Sequence, residues 1–226
     1  MGKLIAIDGL DGSGKQTQWE KLADYLKSKG LRVRLLDFPV YESESSALVR
    51  LYLSGGLGSS PDDTNAYAAS MFFAADRYIS FVQDWRADHL APDTVLLANR
   101  YTTANAIHQL SKLPRESWKD FLSWLTDFEF SKLGLPYPDL VLFLKLAPEI
   151  SSRLIARRSA ETGRKMDIHE LDRGFLERSY EAGQYAADAL GWVTVNCANS
   201  ANDTIRTRED IFAEIKDHVA RLLGIC

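Results

Sequence analysis

The chain has little cysteine and no long apolar run. Of its 226 residues only Cys197 and Cys226 are cysteines, far apart and without the spacing of metal ligands. This pattern excludes a disulfide framework and is typical of a reduced cytosolic protein. No apolar run reaches membrane-spanning length, and the N-terminus leads into a predicted strand without a charged-then-apolar leader. We therefore expect a cytoplasmic protein without a membrane partner.

An excess of positive charge is also missing. The chain carries 27 Lys and Arg side chains against 31 Asp and Glu, a net charge of −4 at pH 7. Because binding along a nucleic-acid backbone usually requires a basic face, we expect no nucleic-acid partner. A small phosphate site, which needs only a few local cations, is compatible with this charge.

Short apolar segments alternate with segments of helical periodicity. The periodicity predicts strands at Lys3–Asp8, Arg32–Asp37, Thr94–Ala98, Asp139–Leu146 and Trp192–Asn196. Such alternation predicts a parallel sheet covered by helices on both faces. Repeats, low-complexity stretches and Pro/Ser-rich linkers are missing. The sequence therefore predicts one α/β domain over residues 1–226 with a five-stranded parallel sheet.

Helices are predicted between these strands. They cover the segment around Trp19–Leu26, then Asp62–Asp88, Pro114–Lys132, a segment that starts at Pro148, Leu171–Leu190, and a final amphipathic stretch through Ile211, Ile215, Val219 and Leu222. The segment Arg157–Asp167 is basic and polar and contains Gly163. We expect this segment to be a mobile loop.

A glycine-rich loop follows the first strand. Gly9 to Lys15 reads Gly-Leu-Asp-Gly-Ser-Gly-Lys and fits G-x-x-x-x-G-K between a strand and a helix. In such a loop the backbone N–H groups and the helix N-terminus bind phosphate, and the lysine bridges the β- and γ-phosphates. The pattern predicts a three-layer phosphate-loop NTPase fold and a small phosphotransferase. The nucleotide-binding residues are expected to be Gly9, Gly12, Ser13, Gly14, Lys15, Gln16 and Thr17.

The position after the lysine is unusual. A Ser or Thr hydroxyl normally ligates Mg²⁺ there, whereas this chain has Gln16, with the hydroxyl displaced to Thr17. Asp11 lies inside the loop, where a second substrate would approach. It is either a residue that caps the loop or a carboxylate that holds an acceptor hydroxyl or a metal. We take Asp11 and Gln16 as candidate metal ligands.

GTPases normally have an N-K-x-D segment after a strand, and this sequence has none. It has several other local clusters instead. The clusters are Phe38–Tyr41, Met71–Arg77, Asn99–Gln109, Phe128–Asp139 and Lys165–Tyr185. Several of them follow strands, where ligands bind in such sheets. Together with Ile7–Thr17, and in this order and spacing, they resemble the thymidylate kinase family, whose members phosphorylate dTMP to dTDP.

The resemblance implies roles for the acceptor side. Phe73 matches the aromatic residue that stacks on the pyrimidine, and Arg77, one helical turn later, matches an arginine that contacts the base or the monophosphate. Arg100 matches the arginine that grips the acceptor phosphate. Asn105 matches the residue that bonds the thymine edge, and His108 matches a position that disfavours ribose.

The resemblance also implies a lid, cofactors and a partner. Tyr41 and Asp11 match groups near the acceptor phosphate and sugar, and Glu170 matches a carboxylate near that sugar or its metal. A segment at about 157–170 resembles the lid that closes over ATP. Because the phosphate loop has no arginine, the candidates for the catalytic arginine are Arg157, Arg158 and Arg164. ATP, Mg²⁺ and a homodimer are implied as well.

The chain departs from the family pattern at Asn99-Arg100-Tyr101, where Asp-Arg-Tyr or Asp-Arg-His is usual, and at Val40, where a basic residue is frequent. Gln16 and Asn99 stand at positions that commonly serve the ATP-side magnesium. We therefore expect metal binding to rely on Asp11 and Glu170 together with substrate phosphates. Two other hypotheses stay open: a related nucleoside monophosphate or deoxynucleoside kinase of other base preference, and a nucleotide-binding protein with impaired catalysis.

Overall fold

Five strands form one parallel sheet in the computed structural model, which describes residues 1–163, 165–199 and 204–225. The strands are β1 Lys3–Gly9, β2 Arg32–Asp37, β3 Thr94–Asn99, β4 Leu140–Lys145 and β5 Val193–Asn196, in the spatial order β2-β3-β1-β4-β5. The predicted five-stranded parallel sheet is confirmed, and each predicted strand bound lies within one residue of the observed one.

Helices flank the sheet in the described part of the chain. They are α1 Lys15–Ser28, α2 Ala47–Leu53, α3 Ala66–Ser80, α4 Arg86–Leu90, α5 Trp118–Thr126, α6 Pro148–Thr162, α7 Ile168–Leu171, α8 Arg173–Leu190 and α9 Arg208–Leu223. Wide π-helical turns occupy Phe81–Trp85, Asn105–Gln109 and Asp127–Lys132. None of the helices in the described ranges is both long and apolar enough to span a membrane.

The central strand β1 is apolar on both faces because both faces are covered. Ile5 and Ile7 belong to the core that includes Leu22 of α1 and Ile215 of α9. Leu4 and Ala6, which point to the opposite face, belong to the core that includes Phe81 and Trp85. Side chains alternate between the faces of a strand, so a strand buried on both sides reads as a continuous apolar run. This is the expected three-layer arrangement.

Two helix predictions need correction. The helix predicted from Asp62 begins only at Ala66, because the side chain of Asn65 accepts a hydrogen bond from Ala68 N and caps it there. The loop predicted from Arg157 is wrong in its first part, because α6 continues to Thr162 and ends at Gly163, whose φ is 67°. Left-handed glycine is a frequent helix terminator, and the polar composition reflects an exposed helix rather than a loop.

The order of the strands brings the polar segments together. The phosphate loop follows β1. Asn99 is the last residue of the neighbouring strand β3, and Arg100 follows it. In the sheet register Asn99 pairs with Ile7 of β1 on one side and with Asp37 of β2 on the other. The carboxyl ends of three strands therefore meet at one edge, which is where ligands bind in sheets of this kind.

Candidate active site

The phosphate loop leads directly into α1. Gly14 has φ 89°, a left-handed conformation that favours glycine, and Lys15 is the first residue of the helix. Lys15 is buried, and its Nζ donates hydrogen bonds of 2.8 Å to the carbonyl oxygens of Gly9 and Leu10. Burial, helped by the nearby Arg100 guanidinium, lowers the pKa of Lys15 to about 8. The ammonium thus lies inside the loop at a helix N-terminus, a favourable place for phosphate.

An ion pair joins the phosphate loop to the end of β3. Arg100 Nη2 donates to Asp11 Oδ1, and Lys15 Nζ lies 3.6 Å from the same oxygen. Burial alone would raise the pKa of Asp11, but Arg100 and Lys15 outweigh it and hold this pKa well below its usual range. Arg100 has φ 62°, a conformation that costs a residue with a side chain about 1–3 kcal/mol. In this backbone conformation its guanidinium lies against the phosphate loop.

Two cavities meet at this ion pair, since Asp11 and Arg100 line both. The larger cavity, about 1400 Å³ and partly open to solvent, includes six of the seven predicted nucleotide-binding residues in its wall: Gly12, Ser13, Gly14, Lys15, Gln16 and Thr17. Gly9 lies at the base of the loop and is not part of that wall. We call this space the donor cavity.

The second, smaller space is the acceptor cavity. It brings together seven residues that the sequence assigned to a second substrate or its phosphate: Asp11, Tyr41, Phe73, Arg77, Arg100, Asn105 and His108. They come from the phosphate loop, the segment after β2, α3 and the segment after β3. Glu170 is not part of this wall.

Arg77 is held by a partner that the sequence did not reveal. Its Nε and Nη2 donate to the two carboxylate oxygens of Glu129 at 2.9 and 2.6 Å, and the side chains are 2% and 0% exposed. A bidentate pair of this kind fixes the plane of the guanidinium. Neither bond uses the third guanidinium nitrogen, Nη1. The side chain of Arg77 also lines the acceptor cavity.

The same carboxylate orients Asn105. Asn105 Nδ2 donates to Glu129 Oε1 at 2.8 Å and to Ser70 O at 3.2 Å. Both partners are acceptors, so the hydrogen-bond network assigns which end of the amide is nitrogen. Asn105 Oδ1 is buried and has no hydrogen-bond partner among the described residues. Asn105, which lines the acceptor cavity, therefore carries a buried hydrogen-bond acceptor without a partner among these residues.

Two histidines stack in this wall, with ring centroids 5.6 Å apart: His108 and His169. Burial lowers the pKa of His108 to about 3 and the pKa of His169 well below its usual range. Tyr52 Oη lies 2.8 Å from His169 Nε2 and accepts a hydrogen bond from Lys112. The sequence singled out His108 but not His169, although His169 lies in the matched segment Lys165–Tyr185.

The carboxylate that reaches the acceptor cavity from α7 is Asp167 rather than Glu170. Asp167 lines the cavity, and burial raises the pKa of its carboxyl to about 6, with Asp11 adding to the effect. Glu170 instead accepts from Asp167 N at 3.2 Å and from Arg158 Nη2 at 2.9 Å. The two residues form a capping box, which the spacing Asp-x-x-Glu at the start of this short helix could have indicated.

The lid arginines differ in surroundings. Arg157 and Arg158 are both on α6, and not on the expected loop. Arg157 bonds the exposed Glu161 one turn away, whereas Arg158 lines the donor cavity. Arg164 lies outside the described residues. The wall of the donor cavity also includes Ile205, Arg206 and Arg208, which follow the last strand β5.

Oxygen atoms suited to magnesium surround the phosphate loop. Gln16 Oε1 accepts from Asn99 Nδ2 at 3.0 Å, and Asn99 Oδ1 and Ser13 Oγ are buried without a partner among the described residues. Carboxylate, amide and hydroxyl oxygens are the groups that bind Mg²⁺ or its waters. In the described ranges no three His, Cys, Asp or Glu side chains are grouped to hold a metal. The donor set fits a magnesium ion that also binds nucleotide phosphates.

Comparison with known proteins identifies the family. The thymidylate kinase family model matches residues 7–208. The thymidylate kinase of Mycobacterium tuberculosis (strain H37Rv) is 32% identical over 191 residues, covering 84% of this chain and 87% of the relative. A probable thymidylate kinase of Thermococcus gammatolerans is 31% identical over 209 residues, covering 91% and 93%. The thymidylate kinase of Danio rerio is 26% identical over 224 residues, covering 99% and 92%. The phosphate loop, the second cavity beside it and these matches agree: the chain belongs to the thymidylate kinase family.

Proposed function

We propose that this protein transfers the γ-phosphoryl group of ATP to the phosphate of dTMP, giving ADP and dTDP. The observation that carries the proposal is that the donor and acceptor cavities meet at Asp11 and Arg100. A triphosphate on the loop and a monophosphate in the acceptor cavity would share one guanidinium. The names of the relatives favour dTMP over a kinase of other base preference and over a protein with impaired catalysis.

The orientation of Asn105 supports a thymine base. Its buried Oδ1 lacks a partner while its Nδ2 is committed to Glu129 and Ser70. Thymine has an N3–H group that can donate to this oxygen, whereas the unprotonated N3 of cytosine would oppose it with a lone pair. Leaving buried acceptors unmatched costs about 1–3 kcal/mol. Phe73 supplies a ring in the same wall for stacking.

The reaction needs no protein nucleophile, because an oxygen of the acceptor phosphate is already anionic at pH 7. We assign catalysis to alignment and charge stabilisation. Lys15 would exchange its two carbonyl acceptors for phosphate oxygens, and Arg100 would hold the two phosphates in line. Magnesium, when bound near Asp11, Gln16 and the loop, neutralises charge on the β- and γ-phosphates. Of the lid arginines, Arg158 is the one whose position in the donor cavity supports a catalytic role, and Arg164 remains a candidate from the sequence.

A second copy of this chain is the proposed protein partner. Tyr67, Met71, Tyr78 and Val82 are exposed and recur at helical spacing along α3 and the turn that follows it. One apolar stripe of this kind supports a homodimer. Light scattering should then give the mass of two chains, and a monomer mass at micromolar concentration would contradict it. We place the reaction in the cytoplasm, without nucleic-acid or membrane partners, in line with the composition.

An acceptor screen tests the function. Purified protein with ATP and Mg²⁺ is given dTMP, dUMP, dCMP, dGMP or thymidine, and ADP release is followed with product identification. We expect dTMP to be phosphorylated far faster than dCMP, dGMP and thymidine. Preference for one of those three would refute the thymidylate assignment, and nucleotide binding without product would support impaired catalysis.

A further inference from the structure

A chain of hydrogen bonds runs from β2 to the phosphate loop behind the donor cavity. Asn99 Nδ2 donates to Asp37 Oδ1 at 2.8 Å and to Gln16 Oε1 at 3.0 Å. Asp37 and Asn99 are direct neighbours in the sheet register, and Phe38 N donates to Asn99 O at 3.1 Å. The carboxylate of Asp37 also interacts electrostatically with Arg100 and Lys15. Asp37 thus belongs to the charged cluster at the sheet edge, although no sequence motif pointed to it.

These bonds fix the orientation of the Asn99 amide. Its nitrogen has two hydrogens, and the structure directs both to oxygen acceptors. The other end of the amide is therefore the oxygen. This oxygen, Oδ1, is buried and has no partner among the described residues. Asn99 is 4% exposed and lines the donor cavity beside Lys15 and Gln16. A buried acceptor without a partner is unfavourable and calls for a ligand or a water.

Gln16 is restrained by the same chain. Its Oε1 accepts from Asn99, and its Nε2 donates to Glu20 Oε1 at 2.7 Å. The hydrogen bond between Gln16 and Asn99 thus joins two neutral amides, with the carboxylate of Asp37 beyond Asn99 and the carboxylate of Glu20 beyond Gln16. Besides its electrostatic interaction with Arg100 and Lys15, Asp37 acts on the donor cavity by polarising and orienting Asn99, whose side chain lines that cavity.

We propose that Asp37 is a positioning residue for the magnesium–nucleotide complex: through Asn99 it presents the Asn99 carbonyl oxygen to a metal-bound water and holds Gln16 in place. The inference rests on the proposed function, because it requires a triphosphate on the loop. Outer partners of this type orient the groups that contact a metal or its waters, and their loss typically weakens metal binding about 10–100-fold.

A carboxylate swap tests the proposal. The variants are Asp37→Asn, Asn99→Asp and the double variant Asp37→Asn/Asn99→Asp, with Asp24→Asn as the control for the loss of one negative charge on an exposed part of α1. The readout is the binding of Mn²⁺ with the non-hydrolysable analogue adenylyl imidodiphosphate, followed by the electron paramagnetic resonance of free Mn²⁺. Binding of the analogue in EDTA and the thermal unfolding midpoint are measured in parallel.

Asp37→Asn should weaken Mn²⁺–nucleotide binding at least about tenfold while the metal-free affinity changes less than about twofold. Asn99→Asp alone places two carboxylates against each other and should also bind poorly. The double variant moves the single carboxylate to the adjacent strand and should recover most of the affinity. Asp24→Asn should match the wild type.

Three results would overturn the inference: unchanged Mn²⁺–nucleotide affinity in Asp37→Asn, an equal loss of metal-free affinity, or no recovery in the double variant. Wild-type protein that binds no nucleotide, or that fails to phosphorylate dTMP, would instead refute the proposed function. Wild-type turnover together with an unaffected Asp37→Asn would refute only the role of Asp37.

Discussion

The two cavities that meet at Arg100 are built differently. The acceptor cavity contains the Arg77–Glu129 pair, whose side chains are at most 2% exposed, and this pair also orients Asn105. On the donor side the side chain of Arg158 is 46% exposed and pairs with Glu170. Buried hydrogen bonds therefore fix the side chains of this wall in the absence of a ligand. The donor side instead holds cations on protein oxygens that phosphate can replace.

Lys15→Met should break the donor side and spare the acceptor side, and it has the largest expected effect. Removing a preorganised charge that acts on the transferred group should lower kcat about 10³-fold. The dissociation constant of dTMP, measured by calorimetry, should change less than about threefold, because Lys15 does not line the acceptor cavity and Arg100 still pairs with Asp11. Lys21→Met, on the same helix and paired with Glu209, is the control. Turnover within about tenfold of wild type would mean that the role of Lys15 is wrong.

Glu129→Gln should disrupt the acceptor side instead of the donor side. It leaves the buried guanidinium of Arg77 without a counter-charge, and breaking such a pair lowers the free energy of unfolding by about 3 kcal/mol. Urea unfolding measures the loss. Glu161→Gln removes a carboxylate from the exposed pair with Arg157 and should cause no measurable change. If both variants unfold alike, the acceptor wall is not held by the buried pair.

A comparison of Arg158→Met with Arg157→Met sharpens the description of the donor side. Arg158 lines the donor cavity and Arg157 does not. We expect kcat to fall about tenfold for Arg158→Met, since a cation near the transferring phosphoryl group is lost, and to stay near wild type for Arg157→Met. Steady-state kinetics at saturating ATP and dTMP measure both. Equal effects of the two substitutions would remove the distinction.

The pH dependence of the free energy of unfolding tests whether His108 is buried as a neutral group in the acceptor wall. Burial holds the folded-state pKa of His108 at about 3, whereas an exposed imidazole titrates near pH 6.5. Between these values the unfolded chain binds the extra proton, so the contribution of His108 to stability is present above pH 6.5 and is lost as the pH falls. Asp167, with its pKa raised to about 6, acts in the opposite sense.

The test is therefore the difference between wild type and His108→Gln. Between pH 4 and pH 6.5 the free energy of unfolding should rise more steeply in the wild type, by up to about 3 kcal/mol. Urea unfolding at fixed ionic strength gives both curves. Parallel curves would show that His108 is not buried as a neutral group.

Local sequence patterns predicted the phosphate loop and the sheet well. Gly9–Lys15 is contiguous, and each strand is a short apolar run, so neighbours in sequence determine them. Arg77 and Glu129 lie 52 positions apart, and no periodicity indicates that pairing. The Asp37–Asn99–Gln16 chain depends on the order of strands in the sheet, which the sequence did not provide.

Helical segments without a clear apolar stripe were harder to predict. Asn105 and His108 lie in a wide π-helical turn that breaks the usual helical spacing, and the sequence indicated no helix there. Such turns are frequent at functional sites. Arg157 and Arg158 were assigned to a loop because their helix is exposed at its end, and only the cap at Gly163 marks where it stops.

The central claim is that a preformed acceptor oxygen, Asn105 Oδ1, reads the N3–H of the base. Calorimetric titration of the wild-type protein with dTMP, with its N3-methyl derivative and with dCMP tests it most directly. We predict that dTMP binds at least about tenfold more tightly than either of the other two, because only dTMP donates a hydrogen to that oxygen. Equal affinity for dTMP and N3-methyl-dTMP would contradict the claim.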